Sequence, residues 1–94
     1  MDIIWRPKAL DDLESARQYI AERNPAAARK VFETILSAVA TLSDRPEIGR
    51  PGRVAGTREL VLARIPYIVA YTVLDQTVTI LAVMHGAREW PDQF

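Results

Sequence analysis

The sequence contains no cysteine and a single histidine. Disulfides and thiolate metal sites are therefore excluded, as is a histidine-rich metal site. Any chemistry here is metal-free or uses a borrowed ion, and no cofactor is implied. No apolar run approaches the roughly 20 residues that span a bilayer, and residues 1–6 lack the charged-then-apolar order of a signal peptide. A cytoplasmic protein with no membrane partner is expected. A net charge is also missing: 12 Lys plus Arg balance 12 Asp plus Glu. With no long-range pull toward a phosphate backbone, direct nucleic-acid binding by the chain alone is not expected. With only four glycines and no low-complexity tract, a long disordered stretch is not expected.

What is present is a globular composition, 49% hydrophobic and 26% charged over 94 residues. That is enough for one core and too little for two, so residues 1–94 form one domain. The charge is unevenly spread. Residues 1–44 carry six basic and seven acidic groups (net −1), residues 45–64 five and two (net +3), and residues 65–94 one and three (net −2). The basic middle consists of Arg45, Arg50, Arg53, Arg58 and Arg64. Planar guanidinium groups suit carboxylates and phosphates alike.

Ile3-Ile4-Trp5 is a β-favouring run ending at Arg6-Pro7, where Pro suits a first helical position. From residue 7 to about residue 22, Ala9, Leu13, Ala16 and Ile20 share a helical face that Leu10 widens. Asp11, Asp12 and Glu14 lie near the helix start, where the macrodipole favours negative charge. Asn24-Pro25 caps and begins a second helix. Its stripe of Ala28, Val31, Ile35, Val39 and Leu42 ends at Ser43-Asp44-Arg45-Pro46, giving a helical hairpin. Residues 43–57, with two prolines and three glycines, form the longest irregular segment and hold most of the extra arginines. Residues 57–62, 67–73 and 78–85 read as three strands, with Leu74-Asp75-Gln76-Thr77 as a hairpin turn. The central strand is apolar on both faces: Tyr67, Val69, Tyr71 and Val73 on one, Ile68, Ala70 and Thr72 on the other. One face covers the hairpin; the other, unless the chain covers it, is a patch for a partner. The expected class is α+β: an N-terminal strand, then a helical hairpin packed on a small, mainly antiparallel sheet.

Several segments, taken in order, carry a resemblance. These are Ile4-Trp5-Arg6-Pro7-Lys8-Ala9-Leu10-Asp11-Asp12-Leu13, Asn24-Pro25-Ala26-Ala27-Ala28, Pro46-Glu47-Ile48-Gly49-Arg50, Arg58-Glu59-Leu60 and Tyr67-Ile68-Val69-Ala70-Tyr71. The last is Val78-Thr79-Ile80-Leu81-Ala82-Val83-Met84-His85-Gly86-Ala87-Arg88-Glu89-Trp90. Their order and spacing across nearly the whole chain resemble the RelE/ParE superfamily of type II toxin-antitoxin toxins. The resemblance implies a toxin masked by an antitoxin encoded beside it, whose C-terminal segment wraps the toxin. That antitoxin would be ParD-like, with a DNA-binding N-terminus.

The superfamily divides by target: RelE-like members cut mRNA in the ribosomal A site, and ParE-like members poison DNA gyrase. RNA cleavage by 2′-hydroxyl attack needs a proton acceptor, cations for the charged phosphorane and an acid for the leaving oxygen. RelE-like enzymes place an arginine in a Tyr-Arg-Leu-Val-Tyr type strand, a second arginine after the last strand and a tyrosine near the C-terminus. Here the strand position is Ile68 and the tyrosine position falls near Phe94; only Arg88 matches. Neither isoleucine nor phenylalanine moves protons or offsets phosphate charge. The leading expectation is thus a non-enzymatic, ParE-like gyrase poison. The alternative is a ribosome-dependent endoribonuclease using Arg64, His85 and Arg88, and a third reading is a domain that only sequesters antitoxins. Candidate antitoxin- or target-binding residues are Arg58, Arg64, Ile68, Arg88, Trp90 and Phe94. The blander readings are a solvated, aggregation-resistant edge for Arg58 and Arg64, a structural strand-end role for His85, and packing for Trp5 and Trp90. Arg45, Arg50 and Arg53 either meet the target or are neutralised in part by Asp44 and Glu47.

Overall fold

A computed structural model describes residues 1–86 and residue 94. The chain runs β1 (Asp2–Trp5), α1 (Pro7–Ala21), α2 (Pro25–Ala40), a 3-10 turn (Thr41–Ser43), β2 (Arg50–Pro51), β3 (Arg58–Val61), β4 (Tyr67–Leu74) and β5 (Thr77–His85). The strands form one sheet in the order β1-β5-β4-β3-β2. Among the described residues only the β1–β5 pair is parallel. The expected α+β architecture, mainly antiparallel sheet and helical hairpin are all present.

Local chemistry accounts for the element ends. Pro7 opens α1 directly after the extended Arg6. Asn24 caps α2 by accepting a hydrogen bond from the Ala27 N–H at 3.1 Å. The β4–β5 turn is Asp75-Gln76, with φ of 51° and 63°; two consecutive left-handed residues match the right-handed twist of the flanking strands.

The core lies between the hairpin and one sheet face. Ala9, Leu13 and Ala16 of α1, Ile35 and Val39 of α2, and Leu42 meet Val69, Tyr71, Val78, Ile80 and Val83, with Ile3 and Trp5 of β1 packed alongside. Two expectations for α1 fail. Leu10 does not widen the buried stripe but is 50% exposed. The acidic residues also miss the first turn, which holds none. Beginning the helix at Pro7 puts Asp11, Asp12 and Glu14 a turn too late to meet the dipole. Asp12 instead ties α1 to the sheet: its Oδ2 accepts from the Val83 N–H at 3.0 Å, and Lys8 donates to the same carboxylate.

The second sheet face is closed rather than open. Ile68, Ala70, Leu81 and Ala82 are all buried, and Met84 and Phe94 pack on the cluster of Ala70, Leu81 and Ala82. A bulge makes this possible. Ala70 pairs with Ala82 but Tyr71 with Ile80, leaving Leu81 as an extra residue. The insertion turns Leu81 and Ala82 together to the second face and returns Val83 to the first.

Candidate functional site

The arginine-bearing segment is anchored rather than loose. Glu59 on β3 is 2% exposed. Its Oε1 accepts from Nε and Nη2 of Arg50 at 3.0 and 2.9 Å, and its Oε2 from the Arg53 N–H at 2.8 Å. Arg50 is thus neutralised by Glu59 and not by the expected Asp44 or Glu47. A carboxylate satisfied on both oxygens is a tolerable buried charge. Arg58 donates through Nη1 to the carbonyls of Glu47 and Gly49 at 3.1 and 2.8 Å. Tyr71 completes the anchor from below: its hydroxyl donates to the Pro46 carbonyl at 2.7 Å and accepts from the Gly49 N–H at 2.8 Å. Burial pushes this phenol above its ordinary range, although the Gly49 N–H and the Arg58 charge pull the other way. Gly49 is dictated by the close approach, since a Cβ there would sit 2.5 Å from the Tyr71 hydroxyl oxygen.

Beside this anchor, α2 and the β3–β4 connection enclose a groove of about 650 Å³. Val31, Ala38, Ile48, Leu60, Val61 and Ile65 give it an apolar lining, and Lys30 and Arg64 are its charged members. Ile48 and Val61 are 41% and 49% exposed. A smaller, more polar cavity of about 130 Å³ lies between α1 and the β4–β5 ends, lined by Asp12, Ser15, Tyr19, Tyr67 and His85. There the His85 and Tyr67 rings meet edge to face, 5.5 Å apart. Arg64 and His85 therefore line different cavities. Arg58 is the first residue of β3 and Arg64 follows the strand; Ile68 and Phe94 belong to the opposite sheet face. Phe94 lines a shallow depression there with Arg6, Thr72 and Leu81. Arg88 and Trp90 lie outside the described residues.

Residues 3–90 match the family model described as the ParE toxin of type II toxin-antitoxin system, parDE. The chain belongs to the ParE toxin family. Two relatives are also named as toxins. "Putative toxin Y4kP" of Sinorhizobium fredii is 46% identical over 95% of this chain and 92% of that protein. Toxin RelE2 of Caulobacter vibrioides is 37% identical over 92% of this chain and 96% of the relative. A solved chromosomal ParDE TA system from P. aeruginosa superposes with a TM-score of 0.83 at 28% identity, covering 90% of this chain and 95% of the other.

In this ParE-family chain Ile68 is 7% exposed and paired across the sheet with Met84. Among the described residues, no group of acidic residues and histidine is placed to hold a metal ion, and no helix is long and apolar enough to cross a membrane. Sequence reasoning missed the Glu59 anchor. Its signal was a lone acid at alternating spacing inside a β-run, surrounded by arginines that needed a partner.

Proposed function

We propose that this toxin acts as a ParE-like poison of a type II topoisomerase, DNA gyrase, and is silenced by a ParD-like antitoxin that covers part of its surface. The observation that carries the reading is the site of Ile68: a buried aliphatic side chain stands where the ribonuclease branch needs a cation. Arg64 and His85, the described members of the alternative catalytic set, line separate cavities, which supports the protein-binding reading over the ribonuclease one. The large apolar groove instead suits a protein partner. Arg58, Arg64, Ile68, Arg88, Trp90 and Phe94 are the proposed contact residues, with Arg64 the one at the groove.

The test uses toxin freed from its antitoxin in two parallel assays, gyrase supercoiling with trapped DNA breaks and ribosome-dependent mRNA cleavage. Trapped breaks with intact mRNA are expected. Cut mRNA with normal gyrase would overturn the reading and make Arg64, His85 and Arg88 catalytic. Inactivity in both assays, with antitoxin binding retained, would leave the sequestering role.

A further inference from the structure

From the arginine-bearing segment, Ile48 reaches the lining of the large groove. Its own backbone does little to hold it there, since the Ile48 N–H meets the Arg45 carbonyl only at 3.4 Å. The residues on either side are clasped instead. Arg58 donates from one nitrogen, Nη1, both to the carbonyl of Glu47 before Ile48 and to that of Gly49 after it. The Tyr71 hydroxyl holds the Gly49 N–H and the Pro46 carbonyl. Among the described residues, no carboxylate lies within ion-pair distance of Arg58. Its guanidinium is thus a bridge between neutral carbonyls rather than half of a salt bridge, and neither it nor Tyr71 is among the described residues that line the groove.

We propose that Arg58 is a positioning residue for antitoxin binding: by bridging the carbonyls on both sides of Ile48, it fixes that side chain in the groove wall before the antitoxin arrives. The inference rests on the reading of the groove as a protein-binding surface. It narrows the part of Arg58 from direct contact to action through Ile48. The physical effect is preorganisation. Ordering a side chain and its backbone only on association subtracts from affinity, whereas a wall already fixed does not. Arginine suits this task because its planar fork loses little freedom for each hydrogen bond it forms.

The probe is the antitoxin, and the readout is the dissociation rate of its complex with the full chain for Arg58→Ala, Ile48→Ala and the double variant. Ile48→Ala should speed dissociation by about tenfold, through loss of apolar surface buried on binding. Arg58→Ala should speed it by about three- to tenfold. In the double variant the Arg58 change should add less than about twofold, because the side chain it positions is gone. Arg58→Lys, whose ammonium has donors enough for both carbonyls, should restore most of the loss. In the free protein, Arg58→Ala should lower the methyl order parameter of Ile48 and leave that of Val39, buried in the core, unchanged. If Arg58→Ala fails to fold, Arg58→Gln takes its place in the same cycle. Losses that multiply in the double variant, or an Ile48 methyl group insensitive to position 58, overturn the inference and leave the groove reading standing. An Ile48→Ala complex that dissociates at the parent rate overturns both the inference and the groove as an antitoxin surface.

Discussion

At the scale of single residues, a phenol and a carboxylate hold the arginine-bearing segment against the sheet. Tyr71→Phe would strand the Gly49 N–H and the Pro46 carbonyl where water has little access. The expected loss is about 1–3 kcal/mol of unfolding free energy, the usual range for buried polar groups left without a partner. Denaturant titration checks it. Gly49→Ala should cost a similar amount by another route, since its Cβ meets the Tyr71 ring atoms as well as the hydroxyl. The same phenol gives a pH dependence with a definite sign. Its folded-state pKa is raised by burial above the ordinary phenol value of 10.0, so the folded state favours the protonated phenol. That contribution is fully present below pH 10 and is lost as the pH rises from there through the folded pKa. Alkaline titration of stability should therefore fall less steeply in Tyr71→Phe than in the parent. An equal slope in the two proteins would show that the phenol does not set it.

At the scale of elements, two junctions carry predictions. Asn24→Ala removes the side-chain acceptor from the start of α2 and should cost about 1 kcal/mol. Gln76→Gly relieves a left-handed residue in the β4–β5 turn and should raise stability by about 0.5–1 kcal/mol. A thermal melt of either variant that matched the parent would remove the energetic role given to that position. Both junctions were legible in the sequence, the first from Asn-Pro and the second from the length of the gap between two β-runs. The core-facing alternation of Tyr67, Val69 and Tyr71 was legible for the same reason: period-2 patterning survives wherever one face is buried. What was hidden depends on contacts distant in sequence. β2 is two residues long and contains Pro51, so nothing local marks it; it exists because Glu59 holds Arg50 and the Arg53 N–H. The bulge at Leu81 breaks the alternation of β5 within an unbroken apolar run, where no polar residue reports the slip. The start of α1 at Pro7 was foreseen, yet the dipole argument for Asp11, Asp12 and Glu14 still failed. Counted from Pro7 they fall in the second turn, where Asp12 finds the Val83 N–H instead.

At the scale of the whole molecule, one scaffold serves a superfamily with two chemistries, so the chemistry resides in a few side chains that the scaffold presents. Of the candidate site, the sequence exposed those side-chain differences but not the groove beside β3, which α2, Ile48 and the β3–β4 connection build together. The Ile68 position tests how far side chains alone separate the branches. Ile68 lies across from Met84 on the closed face. The single carboxylate of β3, β4 and β5, Glu59, already accepts from Arg50 and the Arg53 N–H. Among the described residues, an arginine introduced at position 68 would thus gain no ready counter-ion and would have to disturb the closed face to reach water. Ile68→Arg should lower the unfolding free energy by about 2–4 kcal/mol and should not cleave mRNA on the ribosome, because Phe94 still offers no hydroxyl and His85 still faces another cavity. Folded Ile68→Arg protein that cuts mRNA would show that a single missing cation had separated this chain from the ribonuclease branch. It would also move Arg64 and His85 from the surface of a protein-binding toxin into a catalytic site.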